Sequence, residues 1–116
     1  MSDDAFLTGV RLYNEGAFFE AHEEWETAWR SAKEPADKAL FQGLVQVTAA
    51  FYKLFVSKDR ASAQRLLERG LAKLDTVPES RGLDLDTFRR ALRDVLAKLP
   101  ADAMTREAVP LLTPKI

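Results

Sequence analysis

A chain of 116 residues has room for one small domain, because independent domains usually run to about 100 residues or more. Hydrophobic residues at 47%, charged residues at 30% and a net charge of −1 are globular values that argue against a disordered chain. With no cysteine and a single histidine, His22, the chain has no disulfides, no thiolate metal sites and no metal site that takes two imidazoles from one chain.

The apolar spacing is helical throughout, and no segment alternates with the period of a strand. A first helix is expected over about residues 3–14, with Phe6, Val10 and Tyr13 on one face, Ser2 or Asp3 as cap and Gly16 in the turn that ends it. A second runs over about 17–32 on a stripe of Phe18, Ala21, Trp25, Ala28 and Trp29. Pro35 suits the first position of a third helix over about 35–57, which is apolar on most sides and so reads as the central core helix. Gln42, Gln46, Thr48 and Lys53 interrupt it, which argues against a membrane span. Asp59 caps a fourth helix, residues 78–83 form a loop, and Asp84 or Asp86 opens a fifth helix over about 84–99. Residues 100–116 read as an extended apolar tail lying on the body or on a second subunit.

The expected fold is all-α: one domain over 1–116, built from two antiparallel helical hairpins plus a C-terminal helix and the tail. Gly9, Gly16, Ala21, Trp25 and Ala28 match the small and large positions of a tetratricopeptide hairpin, while a weaker echo at Ala63, Leu67 and Gly70 falls short of a repeat. Gly43 and Gly70, each inside a helix, mark close helix contacts. Charge is uneven, with seven acids against two bases in residues 1–32 and eleven bases against seven acids in 53–98. In one compact domain that asymmetry lets an acidic face dock on a basic one.

The chemistry concentrates on the second and third helices. His22 and Glu26 are four apart and therefore neighbours, and Arg30 follows Glu26 by four as a favourable acid–base pair. Gln42, Gln46, Ala49 and Lys53 fall on one stripe of the third helix, and its polar members need partners. His22 and Glu26, with Glu23 beside them, are expected to face Gln42, Gln46 and Lys53. In a catalytic reading His22 and Glu26 act as base and orienter, or as ligands of a divalent metal, with Arg30 or Lys53 holding an anion. Only two strong ligands are in view, so a metal is open but not favoured. The structural reading makes the same group a polar cluster that fixes the core.

The run Phe19-Glu20-Ala21-His22-Glu23-Glu24-Trp25-Glu26 with Trp29-Arg30 resembles the EAHExWE signature of the domain of unknown function 309 family. Gln42-Gly43-Leu44-Val45-Gln46, followed by Ala49-Ala50-Phe51-Tyr52, is similar to its QGLIQ-like second motif, and Leu67, Gly70, Leu71, Lys73 and Leu74 to its leucine-rich third block. The likeness covers about residues 6–76. It implies a small all-helical bacterial or archaeal protein of undetermined activity, and some members carry the label of metal-dependent hydrolase. Many members have a histidine after the tyrosine of the second motif, where this chain has Lys53, so the second imidazole is missing.

Two function classes stay open: an interaction or regulatory module that binds a protein or peptide, and an enzyme. A stripe of Arg65, Arg69 and Lys73 reads as a solvated face rather than a nucleic-acid surface, given the net charge of −1. The start Met-Ser-Asp-Asp has neither the basic nor the apolar part of a signal peptide, so the expectation is a cytoplasmic protein away from the membrane. The apolar tail is compatible with a homodimer.

Overall fold

Five helices follow one another in the computed structural model: α1 (Ser2–Asn14), α2 (Phe18–Ser31), α3 (Pro35–Phe55), α4 (Arg60–Leu74) and α5 (Leu85–Lys98). The structure describes residues 2–77, 82–99 and 104–113, with side chains from Ala5 onward. The expected caps Ser2 and Asp3, most of the 78–83 loop and the ends of the tail lie outside the described side chains or residues. No strand occurs among the described residues. No helix is long and apolar enough to cross a membrane, again among the described residues.

Local chemistry sets most boundaries. Gly16 takes φ 85°, the left-handed conformation that glycine adopts without strain, and turns the chain from α1 into α2. Pro35 opens α3. Asp59 caps α4 by accepting from the Ser62 backbone N–H at 3.1 Å, and Asp84 caps α5 by accepting from Thr87 N–H at 3.2 Å. Hydrogen bonds from Ser62, side chain first and backbone second, hold the Asp59 carboxyl below its usual range. The third helix stops at Phe55, two residues short of the expected end, where Val56 N–H bonds back to the Tyr52 carbonyl.

Short connections force α1 to α4 to run antiparallel in series, with α2 packed between α1 and α3 and α3 between α2 and α4. Phe41, Leu44, Val47 and Phe51 of α3 are buried, as expected of the central helix. At the first hairpin Gly9 lies directly beneath the Trp25 indole, and Trp25 Nε1–H donates to the Phe6 carbonyl at 3.1 Å. At the second, Gly43 and Gly70 let two backbones meet. A Cβ on Gly70 would lie 2.9 Å from the Gly43 carbonyl oxygen and 2.9 Å from Val47 Cγ2.

Because the obstacle at Gly70 is backbone, it cannot rotate away. Gly70→Ala is expected to lower stability by about 2 kcal/mol in urea unfolding, the wedge between α3 and α4 outweighing the ~1 kcal/mol that alanine gains in a helix interior. An unchanged or higher urea midpoint would show that α3 and α4 separate freely.

The tail lies on its own chain. Tyr13 Oη–H donates to the Pro110 carbonyl at 2.7 Å, and the Asn14 amide pairs with both backbone groups of Leu112, at 2.8 and 2.9 Å. Asp84 N–H donates to Thr113 at 2.8 Å, which joins the tail to the start of α5. Arg106 sits over the Phe18 and Phe55 rings at 5.9 and 5.4 Å. Val109 and Leu112 are buried. The sequence left the tail's seat open between body and second subunit; between Met104 and Thr113 it is the body.

Candidate functional site

Helical register distributes the expected residues over α2 and α3. On α2, Phe18, Ala21, Trp25 and Ala28 are buried. The flank beside them carries Phe19, His22, Glu26 and Trp29 at steps of three, four and three, so these four share one stripe. That flank is turned toward α3: the Phe19 and Tyr52 rings lie 6.0 Å apart, while Phe18 meets Phe51 and Phe55 at 5.8 and 6.1 Å. The helices are antiparallel, so His22, one turn along from Phe19, falls at the level of the turn of α3 that precedes Tyr52. Thr48 is buried and spends its hydroxyl on the Leu44 and Val45 carbonyls.

His22 is half-buried and makes no hydrogen bond or ion pair among the described residues. Glu26 is half-buried and accepts from Arg30 at 2.9 Å, in the spacing expected of that pair. Glu23 is exposed. The polar stripe of α3 lies elsewhere. Gln46 lines a groove with Arg69, Ala72, Lys73 and Thr76 of α4 and its C-terminal turn. Lys53 lies near the α3–α4 connection, where its charge acts on Asp59 and its carbonyl accepts from Asp59 N–H at 2.8 Å. Gln42 is half-buried, one residue before the Gly43 crossing. Among the described residues no hydrogen bond links His22 or Glu26 to Gln42, Gln46 or Lys53.

The donor set for a metal is correspondingly thin. Among the described residues no three His, Cys, Asp or Glu side chains gather so that they could hold an ion. Among the described residues His22 and Glu26 therefore have no third protein ligand of these types, whereas catalytic zinc takes three.

Two residues that the sequence reading did not place in the site stand out on this flank. Phe19 is 52% exposed and Trp29 38%, although both are large aromatics on a helix with a well-filled buried face. The signal was present in the three–four–three spacing of Phe19, His22, Glu26 and Trp29. Trp29 could be assigned to the core stripe only while the rotation of α2 about its axis was unknown. Glu20, Glu23 and Glu24 enter no ion pair among the described residues, so the same helix presents uncompensated negative charge.

The family described as "Domain of unknown function (DUF309)" matches residues 6–66, more than half of the chain. The chain belongs to that family. The DUF309 match takes in all of α2 and α3, and hence the whole aromatic flank, and it ends within α4 before the third leucine-rich block. A relative from Aquifex aeolicus (strain VF5), an "Uncharacterized protein", is 28% identical over 85 residues, covering 72% of this DUF309 chain and 25% of its own length. This chain thus spans about a quarter of the length of the relative it matches.

Proposed function

We propose that this DUF309 protein is an interaction module that receives a basic amphipathic helix along the α2–α3 flank. The observation that carries the reading is the exposure of Phe19 and Trp29 on one stripe of α2, bracketing His22 and Glu26. Their Cα atoms are ten residues apart, about 15 Å along the helix, which suits apolar anchors two to three turns apart on a partner helix. Aromatic side chains that are part-exposed and held by a rigid neighbour, as Tyr52 holds Phe19, make effective anchors because little freedom is lost on binding. Glu23, exposed beside Glu26 and in no ion pair among the described residues, favours lysines or arginines along the edge of the partner's apolar face and raises the on-rate. In this reading His22 and Glu26 are polar contacts within the flank, and Arg30, already paired to Glu26, limits the acidic strip at one end.

The two tryptophans supply the assay, since Trp25 is fully buried and Trp29 is not. Titration with a synthetic helix carrying leucine on one face and lysine on the other is expected to shift Trp29 emission to the blue. Trp29→Phe should abolish the shift, and Phe19→Ser should weaken binding by about tenfold or more. A glutamate-faced version of the same peptide should not bind. Equal response to both peptides, or an undiminished shift in Trp29→Phe, would refute the proposal.

A further inference from the structure

The aromatic seam between α2 and α3 continues past Phe19 and Tyr52. Three residues further along α3, the Phe55 ring stacks on Phe18 at 6.1 Å, with the two planes 19° apart, and on Phe51 at 6.3 Å. Over this second pair lies Arg106 of the tail, its guanidinium carbon 5.9 Å from the centre of the Phe18 ring and 5.4 Å from that of Phe55. The seam therefore has two ring pairs in series. Phe19 of the first is open to solvent, while the second carries a guanidinium from the same chain.

The stretch that delivers Arg106 is lightly held. Thr105, Arg106, Glu107 and Ala108 are all exposed, and the single turn Arg106–Ala108 contributes no buried residue. Arg106 enters no ion pair among the described residues, and its hydrogen bond to the Gly16 carbonyl is long, at 3.4 Å. Met104, Phe55 and Leu54 line a cleft of about 230 Å³, so the strap does not lie flush on the end of α3. The firm anchors of the tail come later, where Tyr13 meets Pro110 and Asn14 meets Leu112. Lifting Arg106 off the rings breaks none of them. A cation on an exposed aromatic face is a weak contact, and a second guanidinium replaces the first one for one. From Tyr52 to Phe55 the helix rises about 4.5 Å, so a partner helix lying along Phe19 reaches the Arg106 seat with one further turn.

We propose that Arg106 is a built-in competitor, holding the end of the seam until an arginine of the docked helix displaces it from Phe18 and Phe55. The inference rests on the interaction reading and adds two things to it. One is the identity of a partner residue, an arginine one turn beyond the apolar anchor that meets Phe19. The other is a strap, residues 104–108, that swings off the rings when that arginine arrives. Arginine is selected over lysine because its planar guanidinium stacks on a ring face, whereas an ammonium is a compact and strongly hydrated charge.

Trp29 emission follows the exchange, with two synthetic leucine–lysine helices of equal charge as probes. One carries arginine one turn beyond the leucine face at both ends, the other lysine at the same places, so orientation does not matter. The natural protein is expected to bind the two nearly alike, because the ring seat is filled. Arg106→Ala should bind the arginine helix about fivefold more tightly than the lysine helix. Arg106→Gln, which keeps a donor for the Gly16 carbonyl but no guanidinium, should show the same preference with an unchanged urea midpoint. An equal gain for both helices would reduce Arg106 to charge repulsion and overturn the proposal. So would weaker or unchanged binding in both variants, the result expected of a plain anchor. Failure of either helix to shift Trp29 in any of the three proteins would instead refute the interaction reading, and this inference with it.

Discussion

Trp25→Ala is expected to remove about 4 kcal/mol of stability, the upper range for emptying a buried aromatic site. Trp25 is fully buried, lies 5.8 Å from the Tyr13 ring, and covers Gly9 so closely that a Cβ there would collide with its Nε1. Domains of this size have roughly 5–15 kcal/mol to lose, so the variant should be partly unfolded at 37 °C, as read by the amplitude and midpoint of urea unfolding. The contact with Gly9 supplies a sharper form of the same test. In the natural background Gly9→Ala should destabilise by about 2 kcal/mol, because the indole is rigid and cannot yield. In the Trp25→Ala background it should instead stabilise slightly, by up to ~1 kcal/mol, because only the helix preference of alanine over glycine is left. If Gly9→Ala costs the same in both backgrounds, the indole is not what demands glycine at position 9.

The second large effect concerns the seat of the tail. Asn14→Ala is expected to cost about 2–3 kcal/mol, since it leaves both the N–H and the carbonyl of the buried Leu112 without their partners. Hydrogen exchange should show the loss first at the tail and at the start of α5, which the tail joins through Asp84 and Thr113. Uniform loss across all five helices would argue that Asn14 acts through α1 alone. Tyr13, one residue earlier, adds a pH signature. Burial pushes its phenol well above the usual value of 10, so the folded state keeps the proton that the unfolded chain gives up. The stabilisation is therefore complete below pH 10 and falls as the pH rises further. Tyr13→Phe should flatten that alkaline slope while losing the bond to Pro110.

Helices, caps and the two glycine crossings were legible because each depends on neighbours in sequence. Asp59 and Asp84 cap through residues three positions on, and Gly43 and Gly70 advertise a missing side chain wherever they lie. The expected grouping of His22 and Glu26 with Gln42, Gln46 and Lys53 combined two correct periodicities with a facing that periodicity does not contain. A stripe at steps of three and four says which residues share a face of α3. Which neighbour that face meets depends on rotation about the helix axis, and here the rotation follows from packing. Phe51 and Phe55 seat against Phe18, while Gly43 and Val47 approach Gly70. With α3 so turned, Gln46 opens toward Arg69 and Lys73, and Tyr52 meets Phe19.

Length, composition and a single histidine determined that this is one all-helical domain in which any metal site would have to do without a second imidazole or a thiolate. Those conclusions need only counting and short-range periodicity. The tertiary structure decided three things that counting could not reach: the tail's place on its own body, the exposure of Phe19 and Trp29, and the placement of Gln46 beside α4. Each joins residues far apart in the chain. Their relative placement is fixed by how large side chains and glycines mesh across helices, and no local pattern encodes that mesh.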